Sequence, residues 1–505
     1  MTRSDTDTQP APPTVRKRTS FAGDVLKLAS GATLAQVLSV LVSPIIARFY
    51  APDAFGTAAV FNSIVAIISV VACLRYELAI MLPKRDKDAA NLLAVSLLSV
   101  LVFTGLSVLL VLFAQGPIVR LLKAPDLAPY LWLIPLAVLA NGGFLAFNYW
   151  NSRTKHFGRL SIARVSRSVM ISGFQLAMGI IGQAHTGGLI GSRVLSPTIV
   201  TVTLGWRTWR DDWRIFAQSV RWSRMLEWAK RHRKFPLLTS WSALLNTASW
   251  QLPSLLLSFF FSSSVVGYYA LGNRMVRLPM SLIGGAISQV FFQRASAAQN
   301  ADGNLASIVL PLFRRLVAFG LFPALLLTVI AQDVFMVIFG PRWSEAGVYT
   351  QILSPWMFFV FISSPLSTLF SVLERQKSAL LLNTLLFVTR LVSLGTGGIL
   401  GNARLALVLF AATGIFIYGG SSIWILRTSG VPKAQIFNVL SRYLGFSVLV
   451  ISPVAAIKFS LPASALVTVI AAGIACVVYF ILLSREEQNL IRWIRQIAIA
   501  KSKRW

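Results

Sequence analysis

The sequence predicts an all-α polytopic membrane protein of about 14 transmembrane helices, set out as two pseudo-symmetric six-helix bundles plus a C-terminal helix pair. Three observations carry this. Hydrophobic stretches of about twenty residues recur along the whole chain, and a bilayer core about 30 Å thick takes about 20 apolar residues per spanning helix. Lys and Arg fall almost entirely in every second gap between those stretches, the pattern that basic cytoplasmic loops produce. The chain is also 55% hydrophobic and only 13% charged, with mean hydropathy +0.69. A soluble chain of this length does not hide that much apolar surface.

In order along the chain, residues 1–20 are polar, carry Pro10, Pro12 and Pro13, and have no apolar core. They read as a disordered cytoplasmic tail ending in Arg16-Lys17-Arg18, not as a cleaved signal. The N-terminal bundle, residues 21–205, holds spans at 26–49, 55–82, 89–113, 130–150, 162–181 and 187–204. Residues 206–234 are basic and contain Trp206, Trp209, Trp213, Trp222 and Trp228. Their spacing predicts one or two amphipathic helices on the inner membrane surface, which also link the bundles. The C-terminal bundle, residues 235–426, holds spans at 235–261, 266–292, 313–339, 348–373, 379–400 and 405–426. Residues 427–484 add a pair at 443–459 and 463–483, and residues 485–505 form a basic cytoplasmic tail. An even number of spans puts both termini in the cytoplasm. About thirty-five basic residues then lie in inner gaps and about six in outer ones. The outer loops are short turns, so no outer domain is expected.

Several function classes drop out. The net charge of +30 is spread over many short loops, as topology and an anionic inner leaflet demand, so it does not indicate nucleic acid. Cys73 and Cys476 both lie inside apolar segments and give no disulfide framework. His156, His185 and His232 are far apart, and no metal-ligand spacing is present. No Ser-His-Asp set or phosphate-binding Gly-rich loop stands out, so neither a cofactor nor an enzyme is expected.

A weak repeat pairs the turn Phe49-Tyr50-Ala51-Pro52-Asp53-Ala54-Phe55-Gly56 with residues 260–267, which end in Gly267. Pro44 and Pro253 precede the two turns. Two bundles related in this way enclose a midplane cavity in transporters. Further motifs are Leu74-Arg75-Tyr76-Glu77-Leu78-Ala79-Ile80 with Leu82-Pro83, the stretch from Gly267 to Arg274, and Leu278-Pro279. Gln289 to Phe292, Arg294-Ala295-Ser296, Phe339-Gly340, Trp343 and Ala346-Gly347 follow. With these residues in this order, the chain resembles the multidrug/oligosaccharidyl-lipid/polysaccharide exporter superfamily. Within it the likeness is to the O-antigen and exopolysaccharide flippases, the polysaccharide biosynthesis protein branch. The likeness covers most of residues 21–378. Many such flippases have twelve helices; the extra pair here is similar to that of lipid II flippases.

The resemblance implies a flippase in the bacterial inner membrane that moves an undecaprenyl-pyrophosphate-linked oligosaccharide outward for surface polysaccharide, including lipopolysaccharide. It implies the lipid-linked substrate, membrane lipids, a polysaccharide polymerase and chain-length machinery as partners, and no nucleic acid. An exporter of small amphipathic cations in the same fold is one rival and calls for an acidic cavity. A membrane enzyme of polysaccharide assembly is another and calls for catalytic carboxylates and a large outer loop.

Ionisable groups inside spans are costly and usually face a cavity or a partner. Those expected to line the cavity and meet the pyrophosphate are Arg75, Arg193, Arg274, Arg277 and Arg390. Arg164 and Arg167 either line it or reach to the inner interface, and Arg48 either lines it or belongs to the outer turn. Arg274 and Arg277 are three apart and share a helix face. The planar arginine donors suit phosphate oxygens. Glu77 is either the proton-coupling group or the partner of a neighbouring arginine. The last helix pair is a candidate groove for the prenyl tail.

Overall fold

The computed structural model describes residues 21–278, 280, 285–301, 304–460 and 464–486. The expected tails at 1–20 and 485–505 lie outside these residues, apart from Arg485 and Glu486. Every regular element among the described residues is helical. Helix α1 is Phe21–Phe49 and α2 is Pro52–Ser69. Pro52 opens α2 where its missing N–H costs nothing, and Asp53 complements the positive helix end.

The expected span 55–82 is not one helix. After Ser69 the chain turns, and Leu74 (φ 49°) and Arg75 (φ 60°) sit in the left-handed region, uncommon for residues with a Cβ. A four-residue helix α3, Tyr76–Ala79, follows. Neighbours fix the irregular backbone: Cys73 Sγ donates to the Gly142 carbonyl (3.3 Å) and Arg153 Nη1 to the Ile80 carbonyl (2.9 Å). Irregular backbone at membrane depth persists only where protein or water satisfies it.

Next come α4 (Asp86–Leu121), a 3-10 turn Pro125–Leu133, α5 (Ile134–Arg153), α6 (Phe157–Ile180) and α7 (Thr186–Ser219). Helix α7 continues well past residue 204, so the linker begins inside a helix. Trp150 Nε1 donates to Asp212 Oδ2 (2.7 Å) and Asn151 Nδ2 to Thr208 Oγ1 (2.8 Å), which ties this extension to α5. Helix α8, Trp222–Arg231, has its charged and apolar residues on opposite sides. Asn91 clamps the joint before it, donating to the Ser219 carbonyl (3.0 Å) and accepting from the Arg221 N–H (3.2 Å). The linker is thus bound to the first bundle. A π-turn, Phe235–Thr239, leads out of it.

The second half holds α9 (Ser240–Phe260), α10 (Ser263–Val276), α11 (Gly285–Ala301), α12 (Ala306–Phe339) and α13 (Ser344–Leu366). It continues with α14 (Leu369–Val372), α15 (Gln376–Ile399), α16 (Ala403–Thr428), α17 (Lys433–Ser460) and α18 (Ala465–Glu486). Side-chain caps start two of them: Ser262 accepts from Val265 N–H and Asn402 from Leu405 N–H. Among the described residues ten helical stretches are long and apolar enough to cross a membrane.

In the first half α1 packs on α6, and α5 on α4 and α7. In the second, α13 packs on α12 and α16, α15 on α9 and α16, and α17–α18 on α12. The Tyr479 ring of α18 stacks on Phe322 at 4.0 Å and its hydroxyl donates to the Ala318 carbonyl (2.7 Å). Lys458 and Asp333 pair at 2.6 Å, joining α17 to α12.

The halves meet where the first turns of α2 and α10 cross. Gly56 lies against Gly267, and these are the glycines of the two repeated turns. A Cβ on Gly56 would stand 1.7 Å from the Ser263 carbonyl oxygen, and one on Gly267 1.8 Å from that of Pro52. Only glycine permits backbones this close. Beside the crossing, Trp343 Nε1 donates to the Ala47 carbonyl (2.7 Å), Arg48 Nη2 to the Val337 carbonyl (3.1 Å), and Arg342 to the Arg48 carbonyl. Ser258 Oγ donates to the Leu122 carbonyl at 2.6 Å. The end opposite α8 is therefore sealed by contacts between the halves.

Candidate functional site: a basic cavity between the two halves

Beneath the crossing is a cavity of about 190 Å³. Helix α2 supplies Phe55, Ala58 and Ala59, α7 supplies Leu189 and Arg193, and α10 supplies Ala270, Leu271 and Arg274. Alanines at three of these positions leave the space. No carboxylate lines it. Arg274 reaches across to α1 and donates from Nη2 to Ser39 O (3.0 Å) and Oγ (2.6 Å). Arg193 has no hydrogen bond or ion pair among the described residues, and the charges acting on it, Arg274 and Arg167, are both positive. Arg167 donates to Asn141 Oδ1 (2.9 Å) and lies 5.6 Å from the Phe144 ring. Arg164, one turn away, reaches Asn148 Oδ1 at 3.4 Å. The cavity thus holds two guanidinium groups, Arg193 and Arg274, with Arg167 near enough to act on Arg193 and no carboxylate in the lining.

Arg277 and Arg390 belong to a second cluster, in the C-terminal half. Their guanidinium carbons stand 4.3 Å and 4.5 Å from the Trp250 ring centroid. Arg390 is 4% exposed. Its Nη1 donates to Ser249 O (3.0 Å) and Oγ (2.7 Å), and its Nη2 to the Tyr418 hydroxyl (3.1 Å). These contacts hold α15 to α9 and α16. Arg277 is half-buried, with Trp250 under it and no hydrogen bond among the described residues.

Arg75 and Glu77 sit apart from both clusters, at the break in the second span. Arg75 Nη1 is 3.3 Å from Glu77 Oε1, and the Glu77 side chain is fully buried. The contact is one of charge: neither Glu77 carboxylate oxygen has a hydrogen-bond partner among the described residues. A regular helix would have turned these two side chains apart; the left-handed backbone brings them together. Arg48 is exposed in the turn beside the crossing. No cluster of His, Cys, Asp or Glu able to hold a metal ion occurs among the described residues.

Of the expected site residues, the structure brings together Arg193, Arg274 and Arg167. The sequence reading did not single out Ser39, Trp250, Asn141 or Asn148. Each is an uncharged polar or aromatic residue in an apolar stretch, and only its partner across the fold marks it.

The family described as polysaccharide biosynthesis protein matches residues 45–348. The succinoglycan biosynthesis transport protein ExoT of Rhizobium meliloti (strain 1021) is 20% identical over 480 residues, covering 92% of this chain and 93% of that protein. Among solved structures, a lipid II flippase MurJ in an inward closed conformation superposes with a TM-score of 0.71 at 12% identity, covering 92% of this chain and 99% of that one. An inward-facing multidrug resistance transporter of the MATE family gives 0.56 at 14% identity, covering 80% and 94%. These superpositions establish a shared fold. The chain belongs to the polysaccharide biosynthesis protein family.

Proposed function

We propose that this protein is a flippase that carries an undecaprenyl-pyrophosphate-linked oligosaccharide from the inner to the outer leaflet of the bacterial inner membrane by alternating access. One observation carries the reading: the unpartnered Arg193 beside Arg274 in a carboxylate-free cavity between the halves, with the charge of Arg167 acting on it. A guanidinium kept inside a membrane protein without a counter-ion is expensive, and an arriving diphosphate would neutralise it through paired N–H donors. The same absence of carboxylates disfavours an exporter of amphipathic cations.

In this reading the chain crosses the membrane fourteen times, as two bundles and a pair, with both termini in the cytoplasm. The α2–α10 crossing then faces outward, and the described state is closed to the outside. A cavity of about 190 Å³ suits a diphosphate and not an oligosaccharide, so the halves part to admit the sugar while the prenyl tail stays in lipid beside α17 and α18. Arg164 and Arg277 line the widened path. Arg390 positions Trp250, and Arg48 belongs to the closed outer turn. Glu77 is the coupling group: a proton on its carboxylate removes a buried charge and releases Arg75. The product passes to a polymerase and its chain-length machinery.

The test is a deletion strain. Lipid-linked oligosaccharide should accumulate facing the cytoplasm, with surface polysaccharide restored by the wild-type protein. Normal polysaccharide export by the deletion strain would overturn the reading.

A further inference from the structure

A second concave feature lies away from the central cavity, on the membrane-facing side of α4, α5 and α7. Its volume is about 490 Å³, and no charged residue lines it. Small residues form its floor. A Cβ on Gly205 would stand 2.7 Å from the Phe147 ring, and one on Gly143 3.0 Å from the Thr201 methyl. Ala140 and Thr198 complete the hollow, and Leu101 and Leu139 form exposed rims.

Helix α7 carries this groove directly into a polar mouth. Thr198, Val202 and Trp206 line the groove, spaced by four residues. The same stripe continues as Trp209 and Trp213; these and Trp206 are 56%, 52% and 60% exposed respectively. Arg207, Arg210 and Arg214 form the adjoining stripe at the same spacing of three and four, and all three are exposed. The Arg210 guanidinium lies 5.1 Å from the Trp206 ring, at the groove mouth. One carboxylate is close: Asp211 Oδ1, 3.5 Å from Arg210 Nε, but its other oxygen pairs with Arg159. Asp212 is taken by Trp150. The cations of this stripe therefore outnumber the anions facing it.

An apolar trough, then tryptophans, then cations is the order of a phospholipid read from chain to glycerol to phosphate. We propose that this groove is a binding site for an anionic diacyl phospholipid. One acyl chain occupies the hollow between α4, α5 and α7, the glycerol region lies on Trp206, and the phosphate is held by Arg210 with Arg207 and Arg214. The arginines at the mouth choose between a lipid and a partner helix: a helix satisfies its own backbone and would bring no anion to them, whereas a phospholipid places its phosphate there. The site stands on this geometry alone and is independent of the direction or substrate of transport.

The experiment uses the delipidated full-length protein in detergent. Native mass spectrometry compares retained phosphatidylglycerol with phosphatidylcholine of the same chains. Phosphatidylglycerol carrying a diazirine in one acyl chain is then photo-crosslinked to the wild-type protein. Phosphatidylglycerol should bind more tightly, by about fivefold for each engaged arginine. The combined Arg207→Gln, Arg210→Gln and Arg214→Gln variant should bring it to the phosphatidylcholine level. The crosslinks should fall on residues 97–101, 136–147 or 198–206. Thr198→Trp, which fills the hollow, should remove them. Equal binding of the two lipids by the wild type, or crosslinks elsewhere, would overturn the proposal. So would displacement of the crosslinker by a polyprenyl phosphate and not by excess phosphatidylglycerol, since the groove would then belong to a transported lipid.

Discussion

Replacing Gly56 by alanine probes the closure of the α2–α10 crossing. The added methyl would stand 1.7 Å from the Ser263 carbonyl oxygen, 2.6 Å from its carbon and 2.9 Å from the Gly267 nitrogen. All three are backbone atoms, so no side-chain rotation relieves the clash. Restoring an ordinary 3.4 Å contact requires the two backbones to part by about 1.7 Å along that line. Overpacking of this kind costs about 1–3 kcal/mol. The cost falls only on states in which the crossing is closed, so the equilibrium moves about 5- to 150-fold toward states open at that end. The assay places a single reporter in the cavity, Ala59→Cys, after Cys73→Ser and Cys476→Ser. Intact spheroplasts are treated with an impermeant maleimide. Labelling should be slow with Gly56 and at least about fivefold faster with Gly56→Ala. Gly267→Ala should act alike, and the double variant less than additively, because both methyls wedge one contact. Unchanged labelling in a normally folded Gly56→Ala protein would refute the reasoning, because the crossing would then not be the barrier.

Three further outcomes follow from the same contacts. Glu77→Gln should fold normally and lose the dependence of flipping on the proton gradient, measured in proteoliposomes; unchanged dependence would make Glu77 the structural partner of Arg75. Arg390→Met abandons Ser249, Tyr418 and the Trp250 face, and should lower unfolding stability by about 2–4 kcal/mol in thermal melts while leaving flipping per folded molecule intact. Burial, aided by Arg231, holds the imidazole of His232 below its ordinary value of 6.5. The unfolded chain therefore takes up this proton first, and stability falls as pH drops through that value. His232→Gln should narrow the gap between melting points at about pH 7.5 and about pH 5.5.

The sequence made the helical membrane class legible because burying some twenty residues in lipid leaves a mark in composition alone. The repeated turns were legible too, and Gly56 and Gly267 prove to be the residues that touch. Other features had no local signature. The break after Ser69 lies in a stretch with no proline or glycine between residues 70 and 80, and contacts from α5 and α8 hold it open. The uninterrupted run of α7 past residue 204 depends on Asp212 and Thr208 finding Trp150 and Asn151 on another helix. The arginines were legible as a set because charge in a span is rare. Their division into a cavity group around Arg193 and a packed group around Trp250 was not. It depends on which helix faces which, and spacing along one helix does not encode that.

The central claim is that the arginines of the cavity carry a lipid-linked diphosphate across the membrane. Proteoliposomes holding the purified protein and a labelled undecaprenyl-pyrophosphate oligosaccharide test it directly, by the rate at which label becomes accessible on the far side. The wild-type protein should flip the lipid. Arg193→Gln should slow it about tenfold or more, the worth of a charge-assisted bond to phosphate, and Arg193→Lys should fall between, keeping the charge but not the planar fork. Flipping by Arg193→Gln at the wild-type rate, or none by the wild-type protein, would contradict the account.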